Sequence, residues 1–420
     1  MRRLLCLGLL LLGVLPALAS ASSRSDPNDP AWPSEWGPRL TRASDLWNVT
    51  TGSPGIVIAV VDTGLTPMPT ELTQVVPGFD VVGNDTSTGD DNGHGTWVSS
   101  VVGALGNNGV GIAGYCWHCS IMPVRVAQGR NGGALASSIA SGIRWAVDHG
   151  ARIVNVSLVS NGYDYGELGA IEYAQDHGVL VIAAAGNTGQ SIPMYPGAYP
   201  GVLAVAGTDE TDTLDDWSTS GSWVSLAAPG CEMVMDPNAG PAYGCGSSFA
   251  PPAVSGIVGL LLSLDPGLTA NQVTSALLAT AHPVAGIAGG EVDAWAAANY
   301  LGLVPASPPP PAATTTVAPA ALPTSSRQVQ LTDGVVRRKA VVRLQLAAGP
   351  LYLQLIGRAV DADCSMSMRS NGTLFVDIPG EKVVRSLAAT VKAGTYDVTI
   401  SCRSARAKPY SLDATGMFPN

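Results

Sequence analysis

Val57-Ile58-Ala59-Val60-Val61-Asp62-Thr63-Gly64 closes the apolar run Gly55–Val61 on an acid and a Thr-Gly turn. A run of that length without alternation describes a strand buried on both faces, the habit of a parallel sheet covered by helices. The same pattern recurs at Ser120–Val126, Ala151–Leu158, Val179–Ala185 and Val202–Ala206. Helical periodicity falls between or after these runs, at Ser137–His149, Gly166–His177 and Ser248–Leu264. Alternation of this kind predicts an α/β domain with a mainly parallel sheet flanked by helices.

Three further turns carry polar residues at the ends of such elements. Asn92-Gly93-His94-Gly95-Thr96 places an imidazole between glycines, and Gly246-Ser247-Ser248-Phe249-Ala250-Pro251-Pro252 places a hydroxyl before a long apolar helix. Ala183-Ala184-Ala185-Gly186-Asn187 ends an apolar run on an amide. Singly, each has a plain structural reading. Asp62 and Asn187 suit turns after strands, His94 a buried structural ring, and Ser248 a helix N-cap. Together an acid, an imidazole and a hydroxyl are the parts of an activated nucleophile. An amide and the backbone N–H at the helix start are donors for a developing oxyanion.

The order Asp…His…Ser is that of the subtilisin type of triad. These motifs, in that order, resemble those of the subtilase family over about Asn28 to Leu301, and most closely its subtilisin/thermitase branch. The resemblance implies a serine endopeptidase in which Ser248 attacks a peptide carbonyl, His94 is the general base, Asp62 orients His94, and Asn187 holds the oxyanion. An extended protein or peptide substrate would pair with Gly132, Gly133, Ser157 and Leu158 beside Gly186. Val159, where the family has glycine, would reshape the specificity pocket, and Trp97 stands where a second histidine is usual. Tyr195-Pro196 matches a family turn with a cis bond. A structural Ca²⁺ is implied at the loop Leu105–Ile112, with carbonyls from Leu105, Val110 and Ile112, the Asn108 side chain, and the carboxylates of Asp29 and Glu71. A second site near Asp80 and Asp85 is weaker, with Asp90 and Asp91 reading as solvated turn residues. No organic cofactor is implied.

The rest of the 420-residue chain sets the context. Arg2 and Arg3, the apolar Leu4–Leu15 and Ala17-Leu18-Ala19 read as a signal peptide over 1–19, so a secreted, extracellular protein without a membrane span is expected. With only residues 20–27 between the expected leader and the peptidase domain, a chain without the inhibitory pro-domain that subtilases generally carry is expected. The peptidase domain would span 28–303. Residues 304–326, rich in proline, alanine and threonine, read as an extended linker. Beyond it, Val342, Leu344, Leu346 and then Leu351, Leu353, Leu355 alternate with period two. That predicts a small antiparallel β-sandwich over 327–420, similar to the pre-peptidase C-terminal modules of secreted peptidases.

Six cysteines outlast the signal peptide: Cys116, Cys119, Cys231, Cys245, Cys364 and Cys402. Their spacing favours the pairs 116–119, 231–245 and 364–402, although Cys116-Trp-His-Cys119 also suits half of a metal or redox site. Between residues 22 and 305 there are 25 acids and 7 arginines, whereas all four lysines lie beyond residue 338. An acidic body argues against a nucleic-acid partner, and a monomer is expected. The competing readings are a non-catalytic binding protein on the same scaffold and a processing peptidase dedicated to one target.

Overall fold

The computed structural model describes residues 26–129 and 133–306, together with the backbone of eight strands between Ser326 and Met417. The expected signal peptide, Gly132 and linker residues 307–325 lie outside the described residues.

A nine-stranded sheet forms the centre of the first part. Its strands are β1 (Val57–Asp62), β2 (Phe79–Asp80), β3 (Ser120–Arg125), β4 (Ile153–Val156), β5 (Leu180–Ala184), β6 (Leu203–Thr208), β7 (Leu226–Pro229), β10 (His282–Pro283) and β11 (Gly290–Glu291). They lie in the order β10-β11-β7-β6-β5-β4-β1-β3-β2, all parallel except β10. The hairpin β8 (Cys231–Asp236) and β9 (Gly240–Cys245) stands apart as its own two-stranded sheet. The helices are α1 (Gly37–Leu40), α2 (Ala43–Leu46), α3 (His94–Gly103), α4 (Ala136–Asp148), α5 (Tyr165–Asp176), α6 (Ala250–Leu264), α7 (Ala270–Thr280) and α8 (Ala294–Tyr300).

The apolar runs explain this layering. Alternate residues of β1 point to opposite faces, so Ile58 and Val60 join one core and Ala59 and Val61 the other. The first core is closed by α3 and α6, the second by α4 and α5. Every residue of α6 from Ala250 to Leu262 is buried, as expected of a helix apolar all round. Pro251 and Pro252 occupy its first turn, where backbone N–H groups lack helical partners in any case. The predicted helix from Ser248 therefore begins two residues later, because Ser248 lies in the turn that feeds it.

Strand order reverses at β1, which lies between β3 and β4. Crevices of parallel sheets form beyond the carboxyl ends of strands at such a reversal, and Asp62 is the last residue of β1.

Among the described residues, disulfides join Cys116 to Cys119 and Cys231 to Cys245, the pairs that spacing favoured. The second closes the β8–β9 hairpin at its base. In the C-terminal part the strands β12 (Ser326–Val336), β13 (Lys339–Leu346), β14 (Gly349–Ile356), β15 (Cys364–Ser370), β16 (Thr373–Ile378), β17 (Val384–Val391), β18 (Gly394–Cys402) and β19 (Lys408–Met417) form two four-stranded antiparallel sheets. Their register sets Cys364 opposite Cys402. Val304, at the expected start of the linker, is instead buried in the first core.

Candidate active site

Asp62 arrives at the crevice because the β1 ladder ends there, and it is fully buried. Its Oδ1 lies 2.8 Å from Nδ1 of His94 and accepts the Thr63 N–H at 2.8 Å. Its Oδ2 is buried with no hydrogen-bond partner among the described residues. A carboxylate so placed directs its charge at the imidazole.

His94 is the first residue of α3, and the docking of that helix depends on the next position. A Cβ at Gly95 would lie 2.3 Å from the Gly64 carbonyl oxygen, so only glycine lets the helix approach the turn after β1. The Gly95 N–H donates to Thr63 Oγ1 at 2.8 Å, which completes the joint. Burial disfavours the imidazolium, but the charge and hydrogen bond of Asp62, with Asp90 behind, outweigh it and hold the His94 pKa above its ordinary value.

Asp90 is the residue that sequence reasoning missed. Its Oδ1 accepts the N–H groups of Asn92 and Gly93 at 3.0 and 2.8 Å. Its Oδ2 accepts the N–H and hydroxyl of Thr96 at 2.9 and 2.7 Å. Burial opposes its charge, yet these donors prevail and its pKa falls below the usual carboxylate value. The expected solvated turn residue is thus the clamp that shapes the turn around His94. The only local signal is an acid two residues before Asn-Gly, a pattern common in ordinary Asx-turns.

Ser248 follows β9 at the mouth of α6. Its hydroxyl donates to the Ser157 carbonyl at 3.2 Å, and the Ser157 hydroxyl donates to the Ser248 carbonyl at 2.7 Å. Asn155 donates to Ser157 Oγ at 3.1 Å and accepts from Ser255 at 3.1 Å, so the pair rests on a buried polar chain. Among the described residues no hydrogen bond joins Ser248 to His94. Asn187 sits beyond the end of β5, where its Oδ1 accepts the Ser247 N–H at 2.7 Å. With the oxygen committed to that donor, the Nδ2 group is the end left to donate. Gly186 lies against the same turn, its N–H donating to Ser247 Oγ at 2.9 Å.

The segment after β4 carries Ser157, which is buried, Leu158, half-buried against the α4–α5 core, and Val159, which is exposed. Across the crevice Ala134, next to Gly133, pairs with Ala127. The Tyr195-Pro196 bond is cis, as the matching turn implied. The hairpin braces the site from behind. Asp236 accepts from Trp97 Nε1 at 3.1 Å, and the Met235 N–H donates to Ser100 Oγ at 2.9 Å.

Two clusters bear on cations. Asp29 and Glu71 are both buried. The Asp29 oxygens accept the Asn107 and Asn108 N–H groups at 2.6 and 3.2 Å, and Glu71 Oε2 has no partner among the described residues. Burial, with Asp29 nearby, raises the Glu71 pKa. No backbone N–H among the described residues donates to the carbonyls of Leu105, Val110 or Ile112. The Asn108 Oδ1 accepts the Val110 N–H at 2.8 Å and keeps a second lone pair. An orphaned buried carboxylate oxygen amid free carbonyls is a donor set that suits Ca²⁺. Near Asp80 the arrangement differs. Arg125 reaches Asp80 at 2.9 Å and Asp91 at 3.0 Å, so a guanidinium occupies the place where a second ion was considered. Among the described residues no group of three or more His, Cys, Asp or Glu is arranged to hold a metal.

A sequence profile of the Subtilase family matches residues 53–321. Thermitase of Thermoactinomyces vulgaris is 38% identical over 281 residues, which are 65% of this chain and 99% of thermitase. A thermophilic serine proteinase of Bacillus sp. (strain AK1) is 38% identical over 263 residues, 62% of this chain and 65% of that protein. Among solved structures, a protease of Pseudoalteromonas arctica PAMC 21717 superposes with a TM-score of 0.61 at 28% identity, covering 67% of this chain and all of that one. With the profile spanning well over half of its length, the chain belongs to the subtilase family of serine endopeptidases.

Proposed function

We propose that this is an exported, calcium-stabilised endopeptidase in which Ser248 is the nucleophile, His94 the general base and Asp62 the group that orients His94. The observation that carries the reading is the 2.8 Å contact between His94 Nδ1 and the buried Asp62. It fixes the ring so that Nε2 is the nitrogen free to take a proton. Rotation about the Ser248 Cα–Cβ bond turns its hydroxyl from the Ser157 carbonyl to that nitrogen. Attack on the substrate carbonyl then passes the serine proton to His94. The resulting oxyanion accepts from Asn187 Nδ2 and the Ser248 N–H, an amide donor being worth about 2.7–4 kcal/mol of barrier. His94 returns the proton to the leaving amine, and water hydrolyses the acyl-enzyme by the same route. A protein or peptide substrate would lie extended against Ser157–Val159 on one side and Gly132–Ala134 on the other.

Calcium would be held by Asp29, Glu71, Asn108 and the carbonyls of Leu105, Val110 and Ile112. It would neutralise the two buried carboxylates and fix the loop that follows α3. The C-terminal strands would form the two layers of an accessory β-sandwich. Export rests on the leader-like residues 1–19. Among the described residues no helix is long and apolar enough to cross a membrane.

The test is labelling by a fluorophosphonate and cleavage of casein. Wild type should do both, and Ser248→Ala should do neither, with activity reduced at least about 10⁴-fold. Unlabelled, inactive wild type would favour the non-catalytic scaffold. Labelling that persists in Ser248→Ala would displace Ser248 as nucleophile.

A further inference from the structure

Two strand extensions frame the nucleophile and leave a wedge between them. β4 and β5 are neighbours, and past their ends the chain continues as 157–160 and 185–187. Ser157 is tied to Ser248 and Gly186 to Ser247, so the wedge opens directly beside the reacting hydroxyl. Side chains alternate along an extended strand. Leu158 packs into the α4–α5 core, which leaves Val159 on the same side as Ser157. Val159 is 37% exposed and forms one wall.

The floor belongs to Met194. Tyr195 exchanges both backbone hydrogen bonds with Ser160, at 2.8 Å each, so the segment carrying Met194 is stitched across the base of the wedge. Met194 is 8% exposed. Its Cγ lies 3.0 Å from the point where a Cβ on Gly186 would stand, and Thr219 Oγ1 lies 3.0 Å from the same point. Gly186 also has a φ of +103°. A methyl group at that position would meet both side chains, so Met194 and Thr219 pack directly against the Gly186 backbone beside the nucleophile turn.

We propose that the subsite for the substrate side chain on the acyl side of the scissile bond is closed by Met194 and Val159, so that the enzyme cleaves after glycine, alanine or serine and discriminates against large apolar residues. The inference rests on Ser248 as nucleophile and deepens that reading by naming the substrate class. A substrate strand paired with Ser157–Val159 sends one side chain into the wedge while its carbonyl faces Ser248. A small side chain fits above Met194, whereas a phenyl or isobutyl group requires Met194 and Val159 to move.

The experiment uses the full chain and chromogenic peptides that differ only in the residue before the cleaved bond: glycine, alanine, serine, leucine and phenylalanine. Fluorophosphonate labelling counts active sites in each preparation. The expected kcat/KM for alanine exceeds that for phenylalanine by at least about tenfold, in the range that pocket fit alone supplies. Met194→Ala combined with Val159→Gly should raise phenylalanine relative to alanine by about tenfold or more. Equal or faster cleavage after phenylalanine or leucine by labelled wild type overturns the proposal, whatever the variant does. A variant that labels normally but keeps the wild-type ratio also overturns the assignment to these two residues. Absence of labelling in wild type overturns the catalytic reading and the pocket with it.

Discussion

Asp90 in the turn before His94 and Glu232 in β8 are both acids drawn in from solvent, and they carry opposite charge states. Asp90 receives four donors, three N–H groups and one hydroxyl, and its pKa is lowered. Glu232 is buried with the Tyr115 hydroxyl as its donor at 2.6 Å, and burial pushes its pKa up to about 8. Glu291 repeats the second case, with Thr208 donating at 2.6 Å and a pKa also raised to about 8. Donor supply decides the outcome, because each hydrogen bond to an ionised group offsets part of its lost hydration. The chain concentrates donors where a negative charge serves His94. Where the acid merely fills the interior, the proton stays on.

Asp29 and Glu71 would offer a third solution if they share a cation. If a cation balances them, a chelator should lower the melting temperature markedly. At a hundredfold excess over Kd the bound ion adds about 2.7 kcal/mol. At about 2–4 °C per kcal/mol for a domain of this size, that is roughly 5–10 °C, read by calorimetry. Glu71→Gln should abolish the sensitivity. An unchanged melting temperature would remove calcium from this site.

The next test concerns the charged member of the comparison. Asp90→Asn removes the negative charge and turns an amide N–H toward the Thr96 N–H. Stability should fall by about 1–3 kcal/mol. Because Asp90 helps hold the His94 pKa up, its loss should move the acid limb of the kcat/KM profile to lower pH. A limb that stays in place would show that Asp90 shapes the turn without acting on the imidazole.

A third test is the pH slope of stability. An unfolded glutamate ionises near pH 4.3, whereas Glu232 and Glu291 keep their protons until about pH 8 when folded. Between those values the folded state binds the additional protons, so their contribution to stability is full below pH 4.3 and is lost as pH rises through 8. The melting temperature should therefore decline between pH 5 and 8 and level off above. Glu232→Gln with Glu291→Gln should flatten that decline. A slope unaltered in the double variant would place its origin elsewhere.

The sheet, and the short segments that carry the four candidate residues, were legible because their signals are local. Parallel strands buried on both faces must be continuously apolar, and each of Asp62, His94, Asn187 and Ser248 lies at or beside the end of an element with its own short signature. What escaped notice depends on distant partners. Asp236 meets Trp97 across 139 positions, and Tyr115 meets Glu232 across 117. Nothing near Glu232 in the chain announces a proton held at neutral pH. The two-residue strands β2, β10 and β11 are too short to show a period. The Cys231–Cys245 bridge was foreseen from spacing. Its service as the base of a hairpin that braces α3 was not, since bracing is a property of tertiary packing.

Arg125 gives the acidic turns near His94 something a dissolved ion cannot. It joins buried Asp80 to Asp91, the neighbour of Asp90, and it is the last residue of β3, paired in register with Asp62. A free cation leaves when the medium is depleted of it. This one is tethered, so its local concentration is fixed by covalent connectivity and is indifferent to dilution or chelation. The segment between Asp80 and His94 therefore carries its counter-charge wherever the chain goes, while the loop after α3 would remain subject to the calcium content of its surroundings.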